Sequence, residues 1–222
     1  MTICALVPIK RLHASKRRLA SVLSPARREA LVLAMARDLF TALMQVRGVA
    51  YVAAITADPV AARLARSFGA RVLTDGADDG YNGAVAAGSR ALAADGARAV
   101  LTLPIDIPLS TSADIARIVA AGKGEDAAFV VVPSRDWLGT NAALRAPPWG
   151  ARPLYGPHSF RAHCAAARRA GLAPRILIIP RIALDIDTPS DLAAFRRLAG
   201  HTHTKQLIVE MPPARLKSEH VS

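Results

Sequence analysis

Residues 99–109 read Ala-Val-Leu-Thr-Leu-Pro-Ile-Asp-Ile-Pro-Leu, and this stretch indicates the fold class of the whole chain. Its first five residues form a short, mainly apolar run without alternation, which is typical of a strand buried on both faces of a parallel sheet. A single carboxylate, Asp106, follows that run between two prolines. Because ligands bind beyond the carboxyl ends of strands in open α/β sheets, the stretch predicts both a sheet and a site.

Similar runs recur along the chain and are separated by segments of helical periodicity. The predicted strands span residues 3–7, 49–55, 71–73, 99–103, 127–132, 141–144, 176–179 and 182–186. Cap residues predict helix starts at Ser24, Asp58, Asn82, Thr111, Ser159 and Thr188. The alternation predicts an α/β fold, a three-layer sandwich in which helices cover both faces of a mostly parallel sheet.

Length and composition favour one domain. The chain has 222 residues, of which 52% are hydrophobic, so a sizeable core is available and a disordered chain is excluded. We expect a single domain over residues 1–200 and a flexible tail over residues 201–222, where periodicity is lost. The two histidines at the start of that tail, His201 and His203, lack further metal ligands nearby.

Neither a membrane protein nor a disulfide scaffold is expected. No apolar run reaches the roughly 20 residues of a membrane helix, and the first residues lack the layout of a secretory signal. Cys4 and Cys164 are the only cysteines, so both are expected to be reduced and buried. A cytoplasmic location follows as an expectation.

The charge balance points to an anionic ligand. Twenty-nine basic and 17 acidic residues give a net charge of +12. The arginines are scattered over predicted helices, and aromatic residues make up only 5% of the chain. A phosphate-bearing small molecule is therefore favoured over nucleic acid, for which a basic stretch with stacking side chains would be typical.

A basic loop follows the first predicted strand. It contains Lys10, Lys16 and Arg18 at a strand's carboxyl end, where cationic donors could surround a triphosphate. The alternative is an ordinary solvated basic loop. The loop has neither a G-x-G-x-x-G nor a Walker A pattern, so hydride transfer and P-loop hydrolysis lose support.

Two carboxylates stand two residues apart near the end of the predicted sheet. In an extended segment Asp185 and Asp187 point to the same side, and their repulsion calls for a cation. The alternative is that Asp187 only helps Thr188 to cap the following helix. Together with Asp106, the pair could hold one or two Mg²⁺ ions against phosphate oxygens.

Three short segments carry small polar residues beside predicted helix starts or turns. They contain Asn82 and Gly83, Thr140 and Asn141, and Gly156 and Ser159. Each could bind a phosphate or a base, although each alone is also an ordinary turn or cap signal. No nucleophile–base pair stands out, because the adjacent His163 and Cys164 would not face each other on a helix.

Six segments in this order resemble the 2-phospho-L-lactate guanylyltransferases, the nucleotidyltransferases that make the guanylylated precursor of coenzyme F(420). They are VPIK with ASKRRL downstream, YNGAV, LPIDIPL, GTNAAL, YGPHSF and LDIDTPSDL, and they span roughly residues 3–197. The resemblance implies a nucleotide-diphospho-sugar-transferase-like α/β sandwich that uses GTP and Mg²⁺. It also implies small-molecule substrates without nucleic acid or membrane partners. A homodimer is compatible with the resemblance, and the oligomeric state stays open.

The resemblance also implies a role for each matching residue. The metal-binding and catalytic acids are Asp106, Asp185 and Asp187. The nucleotide side comprises Lys10, which also has a catalytic role, together with Lys16, Arg18, Asn82, Gly83 and Pro104. The side that binds the phosphorylated acid comprises Thr140, Asn141, Gly156 and Ser159.

The implied reaction joins GMP from GTP to a phosphorylated three-carbon acid and releases pyrophosphate. The acid is 2-phospho-L-lactate, phosphoenolpyruvate or 3-phosphoglycerate, and its phosphate is the nucleophile, so no general base is needed. Two alternatives stay open at this point. One is a nucleotidyltransferase for another acceptor, such as a molybdopterin or a sugar phosphate, although the Gly-rich loop of those enzymes is missing. The other is a non-catalytic RNA-binding module.

Overall fold

The computed structural model describes residues 1–74, 76–124, 126–198 and 200–211. Within them the strands are β1 (Ile3–Pro8), β2 (Val49–Ile55), β3 (Arg71–Leu73), β4 (Ala99–Thr102), β5 (Ala128–Pro133), β6 (Thr140–Ala146) and β7 (Pro174–Ile176). The α-helices are α1 (Pro25–Leu43), α2 (Pro59–Ser67), α3 (Gly80–Ala94), α4 (Ser112–Gly122), α5 (Ser159–Arg169), α6 (Pro180–Ala183), α7 (Pro189–Arg197) and α8 (His203–Glu210). Two 3₁₀ helices, Leu12–Ala14 and Arg17–Leu19, follow β1.

All seven strands join one sheet in the order β3-β2-β1-β4-β6-β5-β7. β1 lies at its centre and pairs in parallel with both neighbours, Leu6 standing opposite Ala53 on β2 and Thr102 on β4. β6 runs antiparallel to β4 and β5, because residues 134–139 return the chain directly from the end of β5. The predicted α/β fold with a mostly parallel sheet is confirmed.

Helices cover both faces of the sheet, as the three-layer prediction requires. On β1 the side chains of Ile3, Ala5 and Val7 enter the larger core, which α1, α4 and α7 cover. Cys4 and Leu6 point the other way and pack against α3. A third apolar cluster joins α5 to β5 and β6 on the same face as α3. The sheet is therefore the middle layer.

Local signals place most helix starts correctly. The Ser24 hydroxyl accepts a hydrogen bond from the backbone N–H of Arg27, and Pro25 occupies the first turn of α1. Thr111 with Asp114 forms a reciprocal capping box at the start of α4. An equivalent box stabilises the start of α7. The helix starts predicted at Ser24, Thr111 and Thr188 are thus confirmed by their hydrogen bonds.

The strands predicted at 176–179 and 182–186 are wrong. β7 ends at Ile176, and the short helix α6 takes up residues 180–183. Pro180 occupies the first turn of α6, where its fixed φ and missing N–H favour a helix start over a central strand. Ile179 and Ile182 are fully buried in the larger core. These residues are therefore apolar because they are buried in the core, although they do not pair as strands.

The tail predicted from residue 201 also needs correction. α8 packs against α1, and its Thr204 and Ile208 are buried. The Asp38 carboxylate on α1 accepts hydrogen bonds from the backbone N–H groups of His203 (2.7 Å) and Thr204 (2.9 Å). A helix start held in this way belongs to the domain, so the fold extends to Met211. Residues 212–222 of the predicted tail lie outside the described residues.

Candidate active site

Loops from several strands enclose one cavity of about 990 Å³ at one edge of the sheet. The ends of β1, β4 and β5 reach this edge, and β6 begins there because it runs in the opposite direction. Of the predicted site residues, eleven line the cavity: Lys10, Lys16, Arg18, Pro104, Asp106, Thr140, Asn141, Gly156, Ser159, Asp185 and Asp187. The sheet therefore brings residues that are far apart in sequence to one concave surface, as expected for an α/β fold.

The basic loop after β1 is held in a defined conformation. The Asp58 carboxylate before α2 accepts a hydrogen bond from the backbone N–H of Leu12 (2.9 Å) and others from the first turn of its own helix. Between the two 3₁₀ helices, Lys16 has a left-handed backbone (φ +52°), which is uncommon for a residue other than glycine. Its side chain is only 6% exposed and extends into the cavity.

Lys16 forms a cationic bridge between two of the predicted acids. Its Nζ donates to Asp106 Oδ2 at 2.8 Å and to Asp187 Oδ1 at 2.6 Å. Burial opposes the ammonium charge, but the two carboxylates outweigh it and raise the Lys16 pKa. Burial likewise opposes ionisation of Asp187, yet Lys16, Arg18 and Lys10 together lower its pKa. Both groups are therefore ionised at neutral pH.

The third acid, Asp185, lies in a different electrostatic environment. Burial and the negative charge of Asp106 raise its pKa to about 6. Its Oδ1 accepts a hydrogen bond from Asn141 Nδ2 (3.0 Å), and the same Nδ2 also donates to the Ile182 carbonyl (3.0 Å). Asn141, predicted to bind substrate, thus holds Asp185 in place. Asp185 therefore differs from Asp187, whose pKa is lowered by the nearby cations.

Asp106 and Asp187 are the candidate metal ligands of this cavity. In the part of the chain that the structure describes, no three histidine, cysteine, aspartate or glutamate side chains converge on one point as metal ligands would. Asp106 and Asp187 do converge, with the Lys16 ammonium between them. Mg²⁺ in nucleotide-binding enzymes is commonly held by one or two carboxylates with phosphates and waters completing the shell, so this pair fits such an ion.

The opposite wall of the cavity is built from β6 and the start of α5. Thr140 and Ser159 are almost fully buried but reach the cavity, and Gly156 adopts a positive φ of 142°. The Thr140 hydroxyl lies 3.0 Å from His163 Nδ1, and His163 Nε2 accepts a hydrogen bond from the Leu154 N–H (2.8 Å). This wall presents the hydroxyls of Thr140 and Ser159 to the cavity, and these can donate to an anionic oxygen.

Two predicted nucleotide-binding residues do not line the cavity. The Asn82 amide pairs with the Tyr155 backbone, donating to its carbonyl (2.9 Å) and accepting from its N–H (2.6 Å). Gly83 lies so close to Asp79 that a Cβ would stand 2.5 Å from the Asp79 Cβ. Close packing explains the glycine, and the amide clamp ties α3 to the segment before α5. Direct contact of either residue with a nucleotide stays a prediction.

Sequence reasoning missed two tyrosines that line the cavity. Tyr81 and Tyr155 form an edge-to-face pair with ring centroids 4.8 Å apart, and Lys10 Nζ lies 5.8 Å from the centre of the Tyr81 ring. Both stand inside the segments YNGAV and YGPHSF, so their aromatic character beside Asn82 and Gly156 was the available signal. Their hydroxyls are buried and have no hydrogen-bond partner among the described residues.

A buried cation lies near these tyrosines. Arg145 on β6 is 1% exposed, and its Nη2 donates to the hydroxyls of Thr102 (2.7 Å) and Ser89 (3.3 Å). No ion pair joins it to a carboxylate within the described ranges. Burial is the main reason that the pKa of His163 falls to about 4, and the Arg145 charge adds to it. The signal in the sequence was an arginine within an apolar strand.

Sequence comparison identifies close relatives. A family described as guanylyl transferase CofC like matches residues 3–211. The phosphoenolpyruvate guanylyltransferase of Conexibacter woesei is 40% identical over 216 residues, which cover 95% of this chain and 97% of that protein. The enzyme of the same name from Rubrobacter xylanophilus is 39% identical over 90% of this chain and 96% of its own. The resemblance described from the six segments is confirmed.

Solved structures with little sequence identity share the fold. A protein of Desulfovibrio desulfuricans G20 assigned to the nucleotide-diphospho-sugar transferases superposes with a TM-score of 0.73 at 16% identity, covering 95% of each chain. A 4-diphosphocytidyl-2C-methyl-D-erythritol synthase superposes with a TM-score of 0.58 at 17% identity, covering 87% of this chain and 96% of that one. The predicted nucleotide-diphospho-sugar-transferase-like architecture is confirmed.

Proposed function

This chain belongs to the family of CofC-like guanylyl transferases, and from that premise we propose that it transfers GMP from GTP to phosphoenolpyruvate. The relatives of highest identity reported above carry that acceptor in their names. The observation that carries the proposal is the pair Asp106 and Asp187 joined through Lys16, facing a hydroxyl-rich wall across one cavity. Such a cavity has a cationic side for a triphosphate and a second side for a small acid.

The proposed reaction needs no protein nucleophile. A phosphate oxygen of phosphoenolpyruvate attacks the α-phosphorus of GTP, a new P–O–P bond forms, and the bond to the bridging oxygen of the β-phosphate breaks. Pyrophosphate leaves with the electron pair of that bond. Because a phosphate monoester is largely dianionic near neutral pH, the attacking oxygen carries no proton that a general base would have to remove. This agrees with the absence of a Ser–His or Cys–His pair among the described cavity residues.

The main obstacle to the reaction is repulsion between the two anionic substrates, GTP and the phosphorylated acid. The basic loop after β1 would reduce this repulsion. Lys10, Lys16 and Arg18 lie on the β1 side of the cavity, where their charges would stabilise the triphosphate and the departing pyrophosphate. Lys16 is held by two carboxylates in the protein alone. In the proposed complex, its ammonium would add positive charge on this side of the cavity and stabilise the phosphates.

Mg²⁺ is part of the proposal. Asp106 and Asp187 would hold it, and the bound ion would neutralise phosphate charge. Asp185 lies beside them and is held in place by its hydrogen bond with Asn141. Both carboxylates are hard oxygen donors, the type that Mg²⁺ selects. The chain's own contribution is to keep these acids in position through Lys16, Asn141 and the capping box that follows Asp187.

The acid is proposed to occupy the wall formed by Thr140, Gly156 and Ser159. Both hydroxyls line the cavity and can donate to carboxylate or phosphate oxygens. A sugar phosphate or a molybdopterin would need a different loop after β1, because Pro8 and Lys10 stand where those enzymes carry a Gly-rich turn.

The test is incubation of the purified protein with GTP, Mg²⁺ and one acid at a time. Phosphoenolpyruvate, 2-phospho-L-lactate and 3-phosphoglycerate each give a guanylylated product of different mass, and released pyrophosphate is measured in parallel. We expect product and pyrophosphate in equal amounts, fastest with phosphoenolpyruvate and none without acid. A faster reaction with 2-phospho-L-lactate would refute the choice of acceptor, and tight RNA binding without any product would refute the enzyme.

A further inference from the structure

His163 links the two segments that form the acceptor wall. Its ring is 1% exposed and lies on α5, one turn after Ser159. One ring nitrogen contacts Thr140 on β6, and the other accepts the N–H of Leu154, next to Tyr155 and Gly156. The ring also packs edge-on against Tyr155, with centroids 4.7 Å apart. One side chain therefore touches the helix, the strand and the loop of this wall.

The two hydrogen bonds define the tautomer of the ring. A backbone N–H can only donate, so Nε2 of His163 is unprotonated where it accepts from Leu154. A neutral imidazole then carries its hydrogen on Nδ1, and Nδ1 donates toward the Thr140 hydroxyl oxygen at 3.0 Å. Burial and the nearby Arg145 charge keep the ring neutral by lowering its pKa to about 4.

This tautomer decides what Thr140 can offer to a ligand. Since the His163 nitrogen already carries a hydrogen, the Thr140 O–H cannot donate to it and remains available for another acceptor. One lone pair of that hydroxyl is occupied by His163. Thr140 lines the cavity, so its O–H is free to donate to an anionic oxygen there.

We propose that His163 is a positioning residue for the acceptor: it orients the Thr140 hydroxyl as a donor to an anionic oxygen of the acid and holds Leu154–Gly156 beside it. The proposal rests on the proposed function and adds the residue that makes this wall selective for an anion. His163 itself touches neither substrate nor metal. It acts through Thr140 and the backbone at residues 154–156.

Two substitutions separate this role from general packing. H163Q keeps an oxygen near the Nε2 position for the Leu154 N–H but loses the donor at Nδ1, whereas T140V removes the hydroxyl with little change in volume. Each is expected to raise the KM for phosphoenolpyruvate about tenfold, since a hydrogen bond to a charged group contributes roughly 1.5–3 kcal/mol. The KM for GTP should change by less than about twofold, because GTP occupies the other wall.

The double variant tests whether His163 acts through Thr140. If it does, H163Q added to T140V raises the KM for the acid by less than about twofold further, because both changes remove one interaction. The proposal would be overturned if the two substitutions raised the KM for the acid by the product of their separate effects. It would also be overturned if either variant raised the KM for GTP as much as the KM for the acid. C164A is the matched control, since Cys164 is the next residue of α5, is buried and does not contact Thr140. It should lower the melting temperature without changing either KM.

Measurements that need no turnover keep the test independent of the proposed reaction. Nitrogen-15 NMR of histidine-labelled protein, assigned with H163Q, should show Nδ1 protonated and Nε2 unprotonated at about neutral pH. The opposite tautomer would refute the proposal. Calorimetry with phosphoenolpyruvate alone should show weaker binding to H163Q than to the wild type. If the wild type makes no product with any acid, the proposed function fails, while these two measurements still decide the role of His163.

Discussion

At the scale of single residues, the site is defined by charges that neutralise one another. Lys16 is nearly buried, and its burial would be costly without the two carboxylates that it contacts. Asp185 has no such cation, and its raised pKa follows from burial next to Asp106. The residue types were evident in the sequence, whereas the choice of Asp106 and Asp187 as partners of one lysine depends on side-chain positions.

We expect Asp187→Asn to retain the fold and to lose at least about 100-fold in guanylyl transfer. Its carboxylate is 43% exposed and Asp106 still pairs with Lys16, so the fold is retained with a lower free energy of unfolding, whereas the cation of the proposed reaction loses a ligand. Pyrophosphate release at saturating Mg²⁺ measures the effect, and circular dichroism checks the fold. Asp126→Asn, at an exposed acid far from the cavity, is the control. Unchanged turnover of Asp187→Asn would contradict the assignment.

The buried His163 predicts a pH dependence of stability. Its pKa lies at about 4 in the folded protein against 6.5 for an ordinary histidine, so between these values the unfolded chain binds a proton that the folded chain does not. Stability from this residue is therefore present above about pH 6.5 and decreases by up to about 3 kcal/mol as the pH falls to about 4.

Urea unfolding of the wild type and of H163Q over this pH range measures that dependence. The difference between the two proteins isolates His163, because Asp185, whose pKa is raised to about 6, acts in the opposite direction in both. The wild type should lose stability relative to H163Q as the pH decreases. Parallel curves would show that the ring is not buried in its neutral form.

At the scale of secondary-structure elements, two features decide the shape of the cavity. β6 runs antiparallel, so its first residues, Thr140 and Asn141, lie at the same edge as the ends of β4 and β5. α6 and the extended residues after it lead the chain to Asp185 and Asp187 without adding a strand. A hairpin strand and a short helix thus supply one side of the site, although the sequence pattern suggested more parallel strands.

We expect Asp38→Ala to lower the free energy of unfolding by about 1–2 kcal/mol. Asp38 on α1 accepts hydrogen bonds from the first N–H groups of α8, the same interaction that a capping residue provides within one helix. Denaturant unfolding measures the loss. Asp38→Asn, which keeps one acceptor oxygen, should lose less. Asp95→Ala, at an acid that forms an exposed ion pair with Arg71, is the control. Equal effects of Asp38→Ala and Asp95→Ala would contradict the docking of α8.

At the scale of the whole molecule, the chain has a net charge of +12, and its cavity is proposed to bind two anions. Long-range attraction of this kind increases the rate of encounter and is screened within about 8–10 Å at physiological ionic strength. Within the described residues, no helix is both long enough and apolar enough to cross a bilayer.

Raising the ionic strength from about 0.02 to about 0.3 M should increase the KM for GTP several-fold and leave kcat within about twofold. The reason is that salt screens distant charges, while the buried contacts of Lys16 are screened much less. Steady-state rates at saturating Mg²⁺ and acid measure both constants. A decrease in kcat at constant KM would contradict electrostatic steering.

The amino-acid sequence alone determined the α/β class, most helix starts, the family and eleven of the residues that line the cavity. The class and the helix starts follow from local rules, namely apolar runs and cap residues, whereas the family and the roles of the site residues were implied by the resemblance of six ordered segments. It could not determine that β6 is antiparallel, that residues 180–183 are helical or that α8 packs on α1. Those features depend on which apolar surfaces meet, and a local pattern of apolar residues is compatible with several partners.

The roles of Asn82, Arg145 and His163 were likewise decided only by the tertiary structure. Only Arg145, an arginine within an apolar run, stood out in the sequence. Each residue acquires its role from atoms elsewhere in the chain: the Tyr155 backbone, the hydroxyls of Thr102 and Ser89, and Thr140. Hydrogen bonds depend on distances of tenths of an ångström and on direction. Such geometry arises from packing between helices and strands, so it cannot be predicted from the order of residues along the chain.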